Sequence, residues 1–380
     1  MERRQFLRIF PAGALVALAP AVSVAAPQHG RLLVLVELRG GNDGLNTVIP
    51  YADPLYIALR PRLGIRRDDV LQLDAATGLH PALRPLMPLW ETGELAVVQS
   101  VGYPQPNLSH FRSIEIWDTA SGSGEYLAEG WLARQFARQP VPADYLAEGV
   151  LVGSPEPGPL AGGRAIALRD IEQFRRQARL ARSRAAEGNA ALRHILQVDS
   201  DIVRAAARLE AQQSFKTQFP KGALGEAVRI GCQAVAGGRV AALRLTLGGF
   251  DTHQNQAGIH AGLLKQLAEG LLALRSALDE LGRWQDTLVM TYGEFGRRPK
   301  ENLSAGTDHG TAAPHFVLGG QVRGGLYGAP PALDRLDGNG NPAFAVDFRS
   351  LYATVLERWW DADSAEVLRG RYPPLDLLRA

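Results

Sequence analysis

The stretch "RLLVLVELRGGNDG", residues 31–44, decides the fold class of this 380-residue chain. Its continuous apolar run followed by glycines is typical of a strand that is buried on both faces of a parallel sheet. An apolar run followed by a glycine-containing loop recurs at residues 94–103, 241–251, 286–296 and 315–320. The chain is therefore predicted to build a large sheet from these strands.

Amphipathic helical segments separate these strands. The clearest is "AGLLKQLAEGLLALRSALDELG", residues 261–282, whose leucines recur at helical spacing. Alternating strands and helices predict an α/β fold with a parallel or mixed sheet and helices on both faces. We expect one domain over residues 27–380. Residues 167–216, rich in arginine and alanine and without strand signals, are interpreted as a helical insertion on this core.

Composition narrows the function classes. Lys plus Arg total 41 and Asp plus Glu total 39, so the chain has no long-range field that would attract nucleic acid, and we exclude that partner. Cys232 is the only cysteine, which rules out an internal disulfide and a thiolate cluster for zinc. Any metal must be held by His, Asp, Glu, Ser or Thr side chains.

The first residues are typical of an export signal. Arg3 and Arg4 precede a short apolar run that ends in small residues at 23–26. The paired arginines resemble the twin-arginine signal of proteins that fold before they cross the membrane. The run is too short for a membrane anchor and carries two prolines. We expect residues 1–26 to be cleaved and the protein to be periplasmic or secreted.

Acidic and histidine residues follow the predicted strands. Asp43 comes after the first strand, Asp251 and His253 after the strand within 241–251, and Glu294 after the strand within 286–296. Ligands of such sheets bind beyond the carboxyl ends of the strands, so we expect these residues to share a site. Asp251 and His253 point to the same side in an extended chain and can bind one cation. Alternatively, the aspartate only orients the histidine.

Asp308 and His309 lie further along the glycine-rich loop that starts at Glu294. Adjacent Asp and His side chains can serve two metals, or one can bind while the other orients. Several buried carboxylates near one point imply a cation or arginines. An ion-pair network with Arg297 and Arg298 is therefore the competing interpretation.

Ser109 stands at the predicted start of a helix in "GYPQPNLSHF", residues 102–111. The free N–H groups there favour an oxyanion or phosphate, and a nearby metal would activate the hydroxyl as a nucleophile. An ordinary capping serine is the alternative. His110 is a candidate to protonate a leaving group or to bind the transferred group. Thr47 is a weaker nucleophile candidate, and His80 is interpreted as structural.

The order of the motifs at residues 38–51, 102–111, 248–256, 294–302, 306–310 and 347–360 is specific and spans nearly the whole mature chain. It resembles a bacterial family of twin-arginine-exported proteins of unknown function within the alkaline phosphatase-like superfamily. The resemblance implies a three-layer α/β/α sandwich with a mostly parallel central sheet. It also implies one or two metals beside a serine or threonine nucleophile.

The resemblance implies roles for individual residues. Asp43 matches an acidic metal ligand, Ser109 the nucleophile, and Asp251 with His253 the ligands of one metal, at a closer spacing than usual. The last loop can be matched in two ways. In one, Asp308 and His309 form the adjacent ligand pair, and a third histidine such as His315 is needed. In the other, which we prefer, Glu294 takes the position of that aspartate and His309 is the later histidine.

These observations predict an exported hydrolase of phosphate or sulfate esters that uses Ser109 and one or two divalent ions: zinc, manganese, calcium or magnesium. Its expected partners are a small-molecule or polysaccharide ester and the twin-arginine export machinery. The alternative is a non-catalytic secreted protein on the same fold that binds envelope polysaccharide or another exported protein. Absence of the sulfatase cysteine motif argues against a formylglycine enzyme.

Overall fold

The computed structural model describes residues 30–172, 174, 176 and 213–379. All five predicted apolar runs are strands of one sheet. The strands are β1 (Leu32–Arg39), β2 (Val48–Ile49), β3 (Leu71–Gln72), β4 (Gly78–Leu79), β5 (Leu95–Gly102), β6 (Tyr145–Val152), β7 (Ala165–Leu168), β8 (Arg239–Gly248), β9 (Thr287–Tyr292), β10 (Arg297–Glu301), β11 (Thr307–His309), β12 (Ala313–Leu318), β13 (Gly325–Tyr327) and β14 (Val346–Asp347).

Helices flank this sheet. The α-helices are α1 (Gly44–Thr47), α2 (Pro54–Leu59), α3 (Met87–Glu91), α4 (His110–Thr119), α5 (Trp131–Arg138), α6 (Ala223–Gly237), α7 (Gln256–Glu280), α8 (Phe348–Ala353) and α9 (Ser364–Val367). Short 3₁₀ helices cover Arg67–Asp69, Pro81–Leu86, Gly158–Leu160 and Trp284–Asp286, and a π-helix covers Thr354–Trp359.

The main sheet has the strand order β13-β5-β12-β9-β1-β8-β6-β7, with β14 also paired to β5. Only β12 in this sheet, as far as the structure describes it, runs antiparallel to its neighbours β5 and β9. β1 lies between β8 and β9 and is parallel to both, with Val36 opposite Leu245 and Thr291. The loops that follow β8, β1 and β9 therefore leave the sheet side by side at its carboxyl edge.

Side-chain alternation along β1 divides the core into two layers. Val34 and Val36 are fully buried in the core that also contains α6 and α7. Leu33 and Leu35 face the other way, into the core that contains α4, α5 and α8. Because successive strand residues point to opposite faces, an unbroken apolar run is what a sheet covered on both sides requires. The prediction of an α/β/α sandwich with a mostly parallel sheet is confirmed.

Two predicted segments fall largely outside the described residues. Residues 1–29 include the predicted export signal, and residues 177–212 form most of the predicted helical insertion, with His194. The insertion does not begin at 167, because Ala165–Leu168 is the edge strand β7, paired with β6. Among the helices that are described, none is long and apolar enough to span a membrane.

Candidate metal centre

The loops after β1, β8 and β9 are in direct contact. The backbone N–H of Gly40 donates to Oε1 of Glu294 at 2.8 Å, which ties the β1 loop to the β9 loop. Gly40 has a φ of +116°, and a Cβ at this position would collide with the backbone nitrogen of Asp251. Glycine is therefore required here, because only it adopts this backbone conformation and permits the approach of the β8 loop.

Asp251 lies at the centre of a cluster of three histidines. Its Oδ1 is 2.9 Å from Nε2 of His253 and 3.2 Å from Nε2 of His309, and its Oδ2 is 3.4 Å from Nε2 of His110. The Nε2 atoms of His253 and His309 are 3.0 Å apart. The structure thus brings the predicted residues Asp251, His253 and His309 together and adds His110.

Two of these histidines have their other ring nitrogen fixed by a neighbouring acceptor. Nδ1 of His110 donates to Oε1 of Glu294 at 2.8 Å, and Nδ1 of His309 donates to the carbonyl oxygen of Leu108 at 2.9 Å. The hydrogen bond to buried Glu294, which is 1% exposed, raises the pKa of His110. With Nδ1 protonated, the neutral ring has its lone pair on Nε2, and both lone pairs are directed at Asp251.

The third histidine has a carboxylate in the equivalent position. Nδ1 of His253 lies 3.5 Å from Oδ1 of Asp308. Asn302 holds the two together, since its amide donates to Oδ1 of Asp308 at 3.1 Å and to the carbonyl of His253 at 2.9 Å. Glu294 and Asp308 therefore orient histidines, a task that carboxylates commonly perform behind metal-binding imidazoles.

The donor set fits a divalent cation. Each of the three Nε2 atoms lies 2.9–3.4 Å from an oxygen of Asp251, and those of His253 and His309 are 3.0 Å apart. Arg297 offsets part of the repulsion among these lone pairs, since it donates to Asp251 and lies 3.4 Å from Nε2 of His253, and a proton or a metal ion would offset the rest. Zinc–nitrogen bonds of about 2.0–2.1 Å in a tetrahedron separate the ligand atoms by roughly 3.3 Å, close to these spacings. The ligand atoms of His110, Asp251 and His309 all lie within 4.8 Å of one another.

Arg297 is the cationic neighbour of this cluster. Its guanidinium is fully buried and donates to Oδ1 of Asp251 at 2.6 Å. The carbonyl oxygens of Gly41, Thr307 and Phe250 accept its other N–H groups at 2.7, 2.9 and 3.1 Å. Burial opposes ionisation of Asp251, but the hydrogen bond and charge of Arg297 outweigh it and lower the pKa of Asp251 to about 2. Asp251 is therefore an anion at every physiological pH.

Ser109 lies beside the cluster, between Leu108 and His110. It is the N-cap residue of α4, yet its side chain is exposed and makes no capping hydrogen bond within the described part of the chain. Its backbone N–H donates instead to Oδ1 of Asn107 at 2.9 Å. The hydroxyl of Ser109 therefore does not act as a helix cap, which was the alternative interpretation of this serine.

Asp43 is placed outside the cluster. Its two carboxylate oxygens accept from Nη1 and Nη2 of Arg60 at 2.5 and 2.8 Å, and Gln256 donates to it as well. Both members of the Asp43–Arg60 pair are 0% exposed. Burial raises the pKa of Asp43, but Arg60 outweighs this effect and the net shift is downward. The oxygens expected to bind a metal are therefore occupied by a guanidinium.

Other candidates from the sequence are structural. Thr47 is buried and donates to the carbonyl of Asp43 at 2.7 Å. His80 caps a 3₁₀ helix by accepting from the N–H of Ala82. His315 is buried in β12 against Trp117, and burial lowers its pKa to about 3. The match that pairs Asp308 with His309 needs a third histidine, and His315 does not supply it because its ring is buried away from the cluster.

A family described as a protein of unknown function, DUF1501, matches residues 66–370. The chain belongs to this family. The match confirms the family resemblance drawn from the motifs, whereas twin-arginine export stays a prediction. No curated protein matches the chain by sequence.

Solved structures similar to this DUF1501 chain are distant. The PsFucS1 sulfatase from Pseudoalteromonas sp. is 11% identical, with 92% of this chain and 71% of that chain covered at a TM-score of 0.40. The C-terminal periplasmic domain of EptC from Escherichia coli, in complex with Zn, is 9% identical, with 77% and 73% covered at 0.37. A Vibrio parahaemolyticus protein in the alkaline phosphatase superfamily is 9% identical, with 80% and 63% covered at 0.39.

The position of His110 in the cluster was not predicted from the sequence, where this residue was a candidate to protonate a leaving group or to bind the transferred group. His110 is the first residue of α4, and the loop before this helix follows β5, which is separated from β9 in the sheet by β12. Its imidazole meets Glu294, 184 residues further along the chain. The order of the strands in the sheet, which the sequence does not give, places the start of α4 next to the cluster.

Proposed function

We propose that this protein is a metal-dependent hydrolase of phosphate or sulfate esters with Ser109 as the nucleophile. The observation that carries the proposal is the orientation of three imidazoles, each with Nδ1 against an acceptor and Nε2 directed at Asp251. Imidazole nitrogen and carboxylate oxygen together suit zinc or manganese, and such paired orientation is typical of metal-binding histidines.

One divalent cation is proposed instead of two. His110, Asp251 and His309 would hold it, with His253 as a further ligand. The second site that the superfamily resemblance implies would need Asp43, which is occupied by Arg60.

The chain's own residues supply the remaining chemistry. A divalent cation bound here would lower the pKa of a nearby hydroxyl and polarise the oxygens of a phosphate or sulfate ester. The start of α4 presents backbone N–H groups that stabilise the anionic group of the ester. Arg297 and the acceptors on Nδ1 hold Asp251 and the histidines in place, so no reorganisation is needed when charge develops.

The proposed reaction has two displacements. Oγ of Ser109 forms a bond to phosphorus or sulfur while the bond from that atom to the alcohol oxygen breaks, and the serine proton ends on the departing alcohol. Water then attacks the seryl ester, which releases phosphate or sulfate and returns the proton to Oγ. We further propose that residues 1–26 direct the folded protein out of the cytoplasm, to the periplasm or medium.

The test combines metal content with turnover. Wild-type protein purified without chelators should contain about one equivalent of zinc or manganese and hydrolyse an aryl phosphate or an aryl sulfate. Ser109→Ala should keep the metal and lose turnover by at least a thousandfold, whereas the Asp251→Ala, His309→Ala double variant should lose both. Ser214→Ala, an exposed serine outside the site, is the matched control.

Three outcomes would contradict the proposal in different ways. A folded protein that takes up no metal would leave an ion-pair network around Arg297. Full turnover in Ser109→Ala would exclude this serine as nucleophile. Metal binding without hydrolysis of any phosphate or sulfate ester would support the alternative of a secreted binding protein.

A further inference from the structure

A groove of about 610 Å³ leads along α4, away from the cluster that Asp251 and the three histidines form. Residues of α4 that line it lie at positions i, i+1, i+4, i+5, i+8 and i+9, which form one face of a helix. At 1.5 Å per residue this face extends roughly 13 Å from the cluster. These residues are His110, Phe111, Ile114, Glu115, Asp118 and Thr119.

The end of this α4 groove nearest the cluster has an apolar wall. Phe111 directly follows His110 and is 88% exposed, although a phenylalanine ring gains by burial. Ile114 lies one turn further along the groove, and Leu127 and Ala128 line it as well. An exposed aromatic ring next to the proposed nucleophile provides an apolar surface for a ligand.

The far end of the groove is polar but carries little net charge. Glu37 accepts from Arg244 at 2.6 Å and from Arg39 at 3.2 Å, so its charge is compensated. Glu156, which pairs with Arg39, also lines this end. Two carboxylates and two guanidiniums therefore balance each other around Asp118.

Asp118 adds a neutral hydrogen-bonding group at this end. Its Oδ1 accepts from the hydroxyl of Tyr292 at 3.4 Å, and that hydroxyl itself accepts from Nε of Arg244 at 2.7 Å. Burial raises the pKa of Asp118 to about 8, with Arg244 acting in the opposite direction. At neutral pH the protonated carboxyl can donate a hydrogen bond into the groove.

We propose that the α4 groove is the leaving-group subsite and that it accepts an uncharged, hydroxyl-bearing group longer than a single ring, such as the sugar of a glycosyl ester. A sugar has apolar ring faces that pack on an aromatic side chain and hydroxyls that both donate and accept. The volume is within the range of about 300–1,000 Å³ for small-molecule sites. Balanced charge at the far end disfavours an anionic leaving group, whose burial there would be uncompensated. This inference rests on the proposed function.

The test compares three esters of whichever acid the enzyme hydrolyses: methyl, octyl and maltosyl. Wild-type protein should prefer the maltosyl ester to the methyl ester by at least tenfold in kcat/KM. Phe111→Ala should lower kcat/KM at least tenfold for the maltosyl ester and less than twofold for the methyl ester. Because Phe111 is exposed, the variant should fold normally. Phe344→Ala, another exposed phenylalanine, is the matched control and should change neither value.

Equal kcat/KM values for the methyl and maltosyl esters would overturn the subsite. The same holds if Phe111→Ala lowers kcat/KM equally for both esters. Preference for the octyl ester would overturn the hydroxylated class and indicate a lipid-like leaving group. Calorimetric titration with maltose separates this inference from the proposed reaction. Binding of maltose to wild type and Ser109→Ala, weakened at least tenfold in Phe111→Ala, supports the subsite even if no ester is hydrolysed. Absence of maltose binding in an otherwise active enzyme contradicts it.

Discussion

Replacing Glu294 by glutamine tests whether the carboxylate behind His110 controls cation affinity. Oε1 of Glu294 accepts from both Nδ1 of His110 and the N–H of Gly40, each at 2.8 Å. Glutamine has nearly the same shape, and its single amide oxygen can accept both of these hydrogen bonds. The substitution therefore removes the negative charge that makes Nε2 of His110 a stronger ligand and can keep both hydrogen bonds, while the amide N–H groups replace Oε2, which is buried without a partner among the described residues.

The magnitude follows from the kind of contact that is lost. Hydrogen bonds to a charged partner are about twice as strong as neutral ones, and removal of a carboxylate behind a metal-binding histidine typically costs 10–100-fold in metal affinity. At about 1.4 kcal/mol per tenfold change, Glu294→Gln should weaken binding by roughly 1.4–2.8 kcal/mol. Asp308→Asn should act in the same direction through His253, by less, because that contact is longer at 3.5 Å.

The assay is a competition titration of zinc or manganese into chelator-stripped protein, with folding checked by circular dichroism. Glu269→Gln removes the same charge on α7, where Glu269 pairs with Lys265 on the surface, and should leave the affinity unchanged. The reasoning would be refuted if Glu294→Gln bound the cation within twofold of wild type. It would also fail if Glu269→Gln weakened binding as much.

Three further predictions concern groups away from the ligands. Asp43→Asn should keep the metal stoichiometry but lower the unfolding free energy by about 3–5 kcal/mol, since Arg60 is left as an unpaired buried charge; metal lost with unchanged urea stability would restore Asp43 as a ligand. The raised pKa of Asp118, from 3.8 to about 8, means that the unfolded chain releases this proton first, so rising pH destabilises the native state between these values. Asp118→Asn should therefore gain urea stability relative to wild type from pH 5 to pH 8.5, and a constant difference would contradict this. Buried Cys232, whose pKa is raised to about 12 by burial, should resist thiol reagents at pH 8 until the protein is unfolded; rapid modification of the native protein would show that its helix opens locally.

The strands and the position of the site could be predicted from the sequence because their signals are local. An apolar run such as Leu32–Val36, followed by glycines, is typical of a strand in a sheet covered on both faces. The loops at Asp251 and Glu294 follow such runs directly, and parallel strands bring their carboxyl ends to one edge. The predicted start of the helical insertion, residue 167, was wrong. The edge strand Ala165–Leu168 was not recognised because it has only four residues and weak alternation.

Roles within the site depended on partners that are distant along the chain. Asp43 resembled a metal ligand until its geometry showed Arg60 bound to both oxygens. Glu294 has its partners Gly40 and His110 at separations of 254 and 184 residues, so no local pattern distinguishes a ligand from a carboxylate that orients one. The sequence by itself determined the fold class, the edge of the sheet that carries the site and the residue types present there. The tertiary structure alone decided that Asp43 pairs with Arg60, that Glu294 contacts His110, and that Asp251 contacts both Arg297 and histidines. Each of these contacts joins separate segments of the chain, which no local pattern in the sequence brings together.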